Sequence, residues 1–558
     1  MTIRALLEQA VAQHPERVAL RYRRGGDWQS RTYRDFALGV SQMAEGLGKL
    51  GLRPGEDRVA IILENCPEWM EAYLAITGVG AQVVPLDPKL KKEEIEYVLH
   101  DSSVAMVITD AWHAQHSLPE ILPRLPEIRQ IIVSAPAGQG HDALMEGRPY
   151  YDYEQLRQQA ADAPLTFYAS HNGVGPEDVA SIIYTSGTTG KPKGAMLTHN
   201  NFCNDADAAL ARMDRVVTWE DDFFIVLPLF HSFSFLTNFV LPILCASGMF
   251  FVDSLKTVAE DMKTLRPTIG MVVPLLVEKM LKRIEERLNA NLTTRLMMRF
   301  GLGAVVRSGV RKKLGGRFRL FVVGGAPCPR HVLEGFTRLG IVMVEGYGLT
   351  ECSPVVTVNP LFAPKIGTIG KAVIGTDLRI KEPNEQGVGE LQVRGPIVMK
   401  GYLNNPEATR ETFDGDWLRT GDLASIDADG YVTIRGRKKA LIVNREGKNI
   451  YPEEVENAIA RHPFVSDVVV LGYTEKGASG ERVGGIVVPD MEAIAQERQG
   501  HEPAWAEVER LVRETVAQQC GELADYKRPR KIRVQREPLE RTSVQKVRRV
   551  AYQGHLDE

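Results

Sequence analysis

The feature that most constrains the fold is a regular alternation of apolar, strand-like runs with amphipathic helical windows. "RVAIILEN" at Arg58–Asn65 has the length and residue types of a buried strand, and "PEWMEAYLAITGVG" after it has the periodicity of a helix. The order repeats in the strand-like runs "AQVVPLD" and "VAMVITD", which flank the helical window "EEIEYVLHDS". Strands that alternate with helices form βαβ crossovers. The sequence therefore predicts an α/β fold built on mostly parallel sheets.

Length, charge and cysteine content exclude several classes of protein. A chain of 558 residues is too long for one ordinary core and predicts about two to four domains. The formal charge of −3 provides no positive field to recruit nucleic acid. The six cysteines include no CxxC pair, which argues against a zinc site and fits a reducing compartment. The polar opening has no apolar core of the kind a signal peptide needs, so we expect a cytoplasmic protein.

The character of the sequence changes near Asp377, where helical windows give way to short strands and turns. Beyond Arg437 a smaller unit follows, in which "PEEVENAIARHP" and "WAEVERLVRETVAQQC" are predicted helices and "VSDVVVLGY" and "RVGGIVVPD" are predicted strands. We therefore predict a large N-terminal domain at residues 1–436, which includes a β-rich subdomain, and a small α+β C-terminal domain at residues 437–558.

One apolar stretch, Phe223–Val252, contains no Asp, Glu, Lys or Arg and is long enough to suggest a membrane span. Polar and helix-breaking residues interrupt it, among them Pro228, Asn238 and Gly248. A strand followed by a buried helix that lines an apolar cavity is the better interpretation, and a transmembrane helix is the alternative.

The strongest local motif is "YTSGTTGKPKGAMLTH", Tyr184–His199, which follows the apolar strand "VASII". Its glycines, hydroxyls and lysines suit a loop that offers backbone N–H groups and positive charge to phosphates. It is not the P-loop of kinases and GTPases, because Gly187 and Gly190 are too close together and Pro192 follows the first lysine. A flexible surface loop is the alternative. The candidate phosphate-binding residues are Thr185, Ser186, Gly187, Thr188, Thr189, Gly190, Lys191 and Lys193.

This motif resembles the phosphate-binding loop of the adenylate-forming superfamily, which includes acyl-CoA synthetases, adenylation domains and luciferases. Three further segments resemble that family in the same order: "VVGGAPCP" (Val322–Pro329), "EGYGLTECSP" (Glu345–Pro354) and "WLRTGDLASIDADGYVTIRGRKKALIV". The ordered set, completed by the tail at Lys546, is highly specific. The resemblance implies activation of a carboxylate by ATP, with a large N-terminal domain and a small, mobile C-terminal domain.

The resemblance implies a nucleotide-binding role for several residues. Gly325, Ala326 and Tyr347 are expected to flank adenine, and a core aromatic is the alternative for Tyr347. Asp422 and Arg437 are expected to bind the ribose, with a simple turn as the alternative at Asp422. The other residues expected around the nucleotide are Pro327, Glu345, Gly346, Gly348 and Ile434.

Two adjacent residues are expected to act at the α-phosphate. The resemblance implies that Thr350 offers its hydroxyl to the α-phosphate and that Glu351 supplies an oxygen ligand to Mg²⁺. A single carboxylate suits this ion, because Mg²⁺ keeps most of its waters and needs few protein ligands.

His231 lies in the apolar run "PLFHSFSF", where a lone histidine is more often a satisfied core residue. The resemblance places this motif, with His231 as a catalytic residue, beside the carboxylate substrate. Family members that activate amino acids carry an Asp in the motif, which this chain lacks. We therefore expect a medium- or long-chain fatty acid, since each buried CH₂ contributes about 0.8 kcal/mol. The expected pocket residues are Phe230, His231, Ser232, Phe233, Phe235 and Gly324.

The C-terminal part carries three further residues of the resemblance. Lys439 is expected at the hinge, with an ordinary surface lysine as the alternative, and Gly447 is expected beside the pantetheine of coenzyme A. The tail "PLERTSVQKVRR" keeps the catalytic lysine of the family, Lys546, but has Glu540 in place of a Pro and Gln545 in place of a Gly. A solvated basic tail is the alternative there.

The expected function is therefore an ATP-dependent fatty acyl-CoA synthetase that uses ATP, Mg²⁺ and coenzyme A. The alternatives are an acyl carrier protein ligase, an aryl-acid CoA ligase, or an inactive protein that binds acyl-adenylate or acyl-CoA. A basic stretch at Arg287–Arg330 is a solvated face, a site for coenzyme A phosphates, or a weak peripheral contact with the inner membrane surface. A homodimer is also left open, and no nucleic-acid partner is expected.

Overall fold

The computed structural model describes residues 1–134, 149–165, 173–185, 191–254, 256–290, 303–446, 448–474, 480–498, 503–541 and 547–557. The chain forms two compact units. The first comprises Met1–Asp377 with Val393–Leu418, and the second comprises Leu378–Gln392 with Arg419–Glu558. The predicted boundary at Arg437 and the predicted hinge near Lys439 describe where the small domain would move relative to the large one. Both stay predictions.

The first unit contains most of the regular elements. Its strands up to residue 372 are β1 (Val18–Arg24), β2 (Asp27–Thr32), β3 (Arg58–Ile62), β4 (Gln82–Pro85), β5 (Met106–Asp110), β6 (Gln130–Ser134), β7 (Tyr150–Asp152), β8 (Val179–Thr185), β9 (Lys193–Thr198), β10 (Asp222–Ile225), β11 (Gly248–Phe251), β12 (Ile269–Val272), β13 (Leu320–Val323), β14 (Val342–Gly348), β15 (Val355–Val358) and β16 (Lys371–Ala372). Its helices in the same range are α1 (Ile3–Gln13), α2 (Tyr33–Lys49), α3 (Pro67–Gly78), α4 (Lys92–Asp101), α5 (Ala111–His116), α6 (Leu118–Ile121), α7 (Tyr153–Gln158), α8 (His199–Arg212), α9 (Ser232–Phe235), α10 (Leu241–Leu244), α11 (Val258–Leu265), α12 (Pro274–Ala290), α13 (Gly303–Lys313) and α14 (Arg330–Arg338).

The remaining elements are shorter and richer in strand. They are β17 (Asp377–Lys381), β18 (Gly389–Arg394), β19 (Gly401–Tyr402), α15 (Pro406–Thr412), β20 (Phe413–Asp414), β21 (Trp417–Ile426), β22 (Val432–Arg437), β23 (Ile442–Val443), β24 (Asn449–Ile450), α16 (Pro452–Ile459), β25 (Val465–Tyr473), β26 (Arg482–Pro489), α17 (Met491–Glu497), α18 (Trp505–Gln519) and β27 (Lys531–Val534).

Two large sheets organise the described part of the first unit. One has the strand order β19-β9-β8-β4-β3-β5-β6-β7, and the other has the order β16-β15-β14-β13-β12-β10-β11-β1-β2. Their inner pairs are parallel, as in β3 with β4 and β5, and in β13 with β12 and β14. The pairs β8–β9 and β14–β15 are antiparallel. The predicted α/β fold with mostly parallel sheets is confirmed.

The cores on the faces of these sheets come from the apolar runs that the sequence shows. Ile62, Val84 and Val107 are buried on one sheet beneath helices α4 and α6, and Phe321 and Phe336 are buried on the other. Strands buried on both faces need continuous apolar runs rather than alternating ones. This requirement explains why strands such as Arg58–Ile62 can be recognised in the sequence as apolar runs.

The apolar stretch Phe223–Val252 folds as strand β10, then a helical segment in three short pieces, then strand β11. The middle piece, Leu236–Val240, is a π-helical turn, and Pro242 is the second residue of the next piece, Leu241–Leu244. The predicted strand and buried helix are confirmed, and β11 is an addition. None of the helices that the structure describes is long and apolar enough to cross a membrane.

The second unit is a small α+β assembly. Strand β26 pairs antiparallel with β25 and parallel with β27, and β23 pairs with β24. Val455 of α16 and Val508 of α18 are buried in the core against these strands, together with Val470. The helices and strands predicted beyond Arg437 are therefore present.

Candidate active site

The predicted phosphate loop connects the two strands of an antiparallel hairpin. In this hairpin, β8 and β9 pair with Tyr184 opposite Gly194 and Thr185 opposite Lys193. A Cβ at Gly194 would lie 2.7 Å from Ile182 Cγ2, so a larger residue here would force the Ile182 side chain to shift. The hairpin brings the two ends of the loop together. The central loop residues lie outside the described residues: Ser186, Gly187, Thr188, Thr189 and Gly190.

Two lysines of the motif lie over aromatic rings beside the loop. Lys191 Nζ is 5.2 Å from the centre of the Tyr97 ring, and Lys193 Nζ is 5.3 Å from the centre of the Tyr402 ring. The Tyr97 hydroxyl also donates to the Pro192 carbonyl at 3.1 Å. A cation over an aromatic face is attracted by the ring quadrupole. These contacts hold two positive charges where the loop ends, which suits them to phosphate oxygens.

Tyr402 connects the phosphate hairpin to Glu351. Strand β19 pairs with β9, with Tyr402 opposite Ala195, and the Tyr402 hydroxyl donates to Glu351 Oε1 at 2.8 Å. Burial and the adjacent carboxylate raise the pKa of the Tyr402 phenol, which therefore stays a neutral donor. Sequence reasoning missed this residue. Its only signal was the dipeptide that follows Lys400, which is too short to be specific.

The apolar segment of the predicted acyl pocket touches the turn that carries Thr350 and Glu351. Ser232 Oγ and Thr350 Oγ1 share a hydrogen bond of 2.9 Å, although 118 residues separate them. His231 caps the short helix α9, where its Nδ1 accepts from the Phe233 N–H at 3.3 Å. Substrate-pocket and α-phosphate residues predicted from separate motifs are therefore neighbours.

The predicted adenine turn follows β13 at the carboxyl end of the parallel strands, where open α/β sheets bind ligands. Gly325, Ala326 and Pro327 are exposed there, and Gly325 has a φ of +84°, which favours glycine. A Cβ on Gly324 would lie 2.8 Å from the Phe233 ring. Gly324 thus brings the predicted nucleotide turn into contact with the predicted acyl pocket.

The second nucleotide motif follows the neighbouring strand β14. Gly346 and the half-buried Tyr347 lie at its end, and a Cβ on Gly348 would lie 1.6 Å from the Pro354 carbonyl oxygen. Only glycine therefore permits the chain to fold back tightly after β14. This close approach sets where Thr350 lies, because Leu349 N donates to the same Pro354 oxygen at 3.0 Å.

Glu345 links the two nucleotide turns. Its Oε1 accepts from the Cys328 N–H at 3.3 Å, and Glu345 lies opposite Val323 in the parallel pair β13–β14. Burial raises the pKa of the Glu345 carboxyl to about 7. This side chain therefore changes its charge near neutral pH, next to the predicted adenine site.

The raised pKa of Glu345 predicts a specific dependence of stability on pH. The folded protein keeps the proton over a pH range in which the unfolded chain has lost it, so stability falls as pH rises from about 4.5 to about 7. Glu345→Gln removes the titrating group. Between pH 5 and pH 8, the free energy of unfolding measured by urea denaturation should fall by about 1 to 3 kcal/mol less in the variant than in the parent. Exposed Glu385→Gln is the control, and parallel pH curves for parent and Glu345→Gln would contradict the prediction.

The predicted ribose residues pair with one another within the second unit. Asp422 lies opposite Arg437 in the β21–β22 pair, and Arg437 Nε is 2.8 Å from Asp422 Oδ1. Asp422 is only 4% exposed, and its N–H donates to Thr420 Oγ1 at 3.0 Å. Ile434 is half-buried on β22, opposite Ala424. The Arg437 guanidinium thus orients the Asp422 carboxylate.

The hinge and tail also belong to the second unit. Lys439 is exposed on the turn Lys438–Ala440, whereas Gly447 and Lys546 lie outside the described residues. The chain on both sides of 542–546 is anchored. Arg541 pairs with Asp467, and Arg549 Nη1 donates to Glu456 Oε1 at 2.7 Å.

Glu351 is the candidate carboxylate for Mg²⁺, and Tyr402 connects it to the phosphate hairpin. In the part of the chain that the structure describes, no cluster of three or more His, Cys, Asp or Glu side chains could hold a metal. Among the hydrogen bonds that the described residues form, Tyr402 uses Glu351 Oε1 and none uses Oε2. An oxygen ligand of this kind fits Mg²⁺, which binds proteins through one or two carboxylates and keeps its waters.

The β8–β9 hairpin, the Thr350–Glu351 turn after strand β14 of a parallel sheet, and a separate α+β unit are the features expected of an adenylate-forming enzyme. The chain matches the family model for AMP-binding enzymes over residues 7–403 and the model for their C-terminal domain over residues 454–546. It belongs to this family of AMP-binding enzymes.

Relatives of the chain include several ligases and synthases. It is 31% identical over 502 residues to a long-chain-fatty-acid–CoA ligase, FadD15, of Mycobacterium bovis, covering 84% of this chain and 79% of the relative. It is 32% identical over 468 residues to a feruloyl-CoA synthase of Amycolatopsis, covering 82% and 83%. A solved structure of O-succinylbenzoate CoA synthetase from Bacillus subtilis, in complex with ATP and a magnesium ion, superposes with a TM-score of 0.73 at 26% identity, covering 98% of each chain.

Proposed function

We propose that this enzyme activates a medium- or long-chain fatty acid with ATP and then transfers the acyl group to coenzyme A. The observation that carries the proposal is the Ser232–Thr350 hydrogen bond of 2.9 Å. It joins an apolar, aromatic segment directly to the turn expected at the α-phosphate. The fatty-acid ligases among the relatives support the same substrate class.

The segment after His231 is rich in aromatic side chains, among them Phe233, Phe235 and Phe239. Two of its hydroxyls are used within the neighbouring chain, since Ser234 Oγ donates to the Leu227 carbonyl at 2.8 Å and Thr237 Oγ1 donates to the Phe233 carbonyl at 2.6 Å. The Ser232 hydroxyl bonds to Thr350, and Asn238 Oδ1 is buried without a hydrogen bond to any described protein atom. The whole stretch Phe223–Val252 has no charged side chain other than His231 when that residue is protonated. A substrate with a neutral, apolar tail matches this chemistry, because an ionic tail would lose its hydration without gaining a partner.

The proposed first step joins the acid to AMP. The carboxylate oxygen attacks the α-phosphorus of ATP, a new P–O bond forms, and the bond to pyrophosphate breaks. Lys191 and Lys193 meet the departing phosphates, Thr350 donates to the α-phosphate, and Lys546 stabilises the charge between the two anions. Glu351 would hold Mg²⁺, which would supply positive charge to neutralise the phosphates.

The proposed second step forms the thioester. The small domain turns about Lys439, which withdraws Lys546 and brings the loop of Gly447 to the pantetheine of coenzyme A. The coenzyme A thiolate attacks the acyl carbonyl, the bond to AMP breaks, and AMP leaves. Asp422 and Arg437 hold the ribose of the nucleotide through both steps.

A panel of acids from acetate to oleate tests the substrate class through AMP release that depends on coenzyme A. We expect kcat/KM to rise up to about fourfold for each added CH₂ until the pocket is full, because each buried CH₂ contributes about 0.8 kcal/mol. Reactions without coenzyme A are the control. If acetate or an amino acid is the best substrate, the proposal is wrong.

An aryl acid is the second candidate substrate, and the feruloyl-CoA synthase relative favours it. Ferulate and benzoate in the same panel decide between the two classes by their kcat/KM. A holo acyl carrier protein offered in place of coenzyme A tests the carrier-ligase alternative. A protein that only binds acyl-adenylate or acyl-CoA would release no AMP with any acid.

A further inference from the structure

We propose that Asp205 and Asn201 of helix α8 are positioning residues, which fix the Thr350–Glu351 turn relative to the phosphate hairpin and so set the affinity for Mg²⁺·ATP. The inference rests on the proposed function in one respect, since that function identifies the nucleotide as ATP. Neither residue belongs to the motifs that identify the family, and neither is expected to touch the substrate.

Helix α8 continues directly from the phosphate hairpin. Thr198 is the last residue of β9 and the N-cap of α8, with its hydroxyl accepting from the Asn201 N–H at 3.0 Å. Asn201 Oδ1 in return accepts from the Thr198 N–H at 2.8 Å. This reciprocal capping box fixes the direction in which the helix leaves the strand. The side chains of the first turns of α8 therefore have fixed positions relative to strand β9 of the phosphate hairpin.

Asn201 and Asp205 lie one helical turn apart, so both side chains point from the same face of α8. Asn201 Nδ2 donates to the carbonyls of Pro396 at 2.7 Å and Val398 at 3.0 Å. Asp205 Oδ2 accepts from the Val355 N–H at 2.8 Å. One face of a single helix thus holds two distant segments of the chain.

These two segments form one structural piece around Glu351. Ser353 Oγ donates to the Ile397 carbonyl at 2.7 Å, and the Met399 N–H donates to the Glu351 carbonyl at 2.9 Å. The Tyr402 hydroxyl completes the connection at the Glu351 carboxylate. A shift of either segment on α8 would therefore move the proposed metal ligand relative to the two loop lysines.

The burial of Asp205 is costly for stability alone. Its side chain is 0% exposed, and Oδ1 is buried without a hydrogen bond to any described protein atom. A buried carboxyl with an unsatisfied oxygen destabilises a fold, and the hydrogen bond from the Val355 N–H offsets only part of that cost. The benefit that we infer is the fixed position of the Val355 N–H, six residues after the turn begins at Leu349.

The test compares four variants: Asp205→Ala, Asp205→Asn, Asn201→Ala and Asp207→Ala. Asp205→Asn keeps an oxygen that can accept from Val355. Asp207 lies on the same helix but is exposed and pairs with Arg215, which makes it the matched control. Calorimetry measures binding of an ATP analogue with a methylene bridge between the α- and β-phosphorus, with and without Mg²⁺. The rate of acyl-AMP formation is measured in parallel.

We expect Asp205→Ala and Asn201→Ala to weaken binding of the analogue in Mg²⁺ by about fivefold or more. Asp205→Asn should stay within about twofold of the parent, and Asp207→Ala should be unchanged. If both alanine variants bind Mg²⁺ and the analogue like the parent, even with a lower melting temperature, the positioning role is wrong. If Asp205→Ala does not fold, Asn201→Ala decides by the same criterion. If the binding pattern is as expected but the parent forms no acyl-AMP with any acid, the proposed function fails and the positioning role stands.

Discussion

Lys546→Ala should lower acyl-AMP formation by about 100- to 1000-fold and leave thioester formation from supplied acyl-AMP nearly unchanged. The physical reason is that two anions, the carboxylate and the α-phosphate, must meet in the first step only. A fixed positive charge between them stabilises the transition state more than the ground state, because charge develops there in the transition state. The two half-reactions are measured separately, as pyrophosphate release in the first and as AMP release from acyl-AMP and coenzyme A in the second.

Arg548→Ala is the matched control for Lys546. Arg548 is a cation two residues further along the tail, with a side chain that is 62% exposed. It should behave like the parent in both half-reactions. An equal loss in both half-reactions for Lys546→Ala would assign the lysine a structural role instead. The anchors of the tail, Arg541 to Asp467 and Arg549 to Glu456, are left intact by both substitutions.

Glu351→Gln should lower acyl-AMP formation by about 100-fold and raise the Mg²⁺ concentration needed for half-maximal rate. The amide keeps an oxygen in place but removes the negative charge that attracts the ion. Tyr402→Phe should have a smaller effect, about tenfold, because it removes only the hydrogen bond that orients the carboxylate. Mg²⁺ titrations of the first half-reaction measure both effects.

The control for the Glu351 prediction is Glu411→Gln, an exposed carboxylate of α15 in the same unit. It should leave the rate and the Mg²⁺ dependence unchanged. A full rate for Glu351→Gln with parental Mg²⁺ dependence would show that the metal is held without this residue.

The family and the fold class could be predicted from the sequence because their signals are local. The strand β3 and the helix α3 are each visible as an apolar run or a helical period of fewer than about 15 residues. The phosphate motif at Tyr184–His199 combines residue types that few other loops need. The family assignment and the parallel sheets are confirmed, whereas the roles of the individual site residues stay proposals.

Tyr402 shows what such local reasoning misses. Its contact with Glu351 spans 51 residues and exists because β19 pairs with β9 at one particular register. A shift of one residue would turn the Tyr402 side chain to the other face of the sheet. No local pattern encodes that register, so the dipeptide Gly401–Tyr402 alone could not identify the residue.

The sequence by itself determined the class of this protein, an α/β enzyme of the AMP-binding family, and it predicted a phosphate loop, a Thr–Glu turn and an apolar segment for the acid. Only the tertiary structure decided which of these parts meet. It placed Ser232 against Thr350, and it placed Asp205 on the backbone at Val355 across 150 residues. The physical reason is that residue type and period fix local structure, whereas contacts between distant segments depend on how sheets and helices pack in three dimensions.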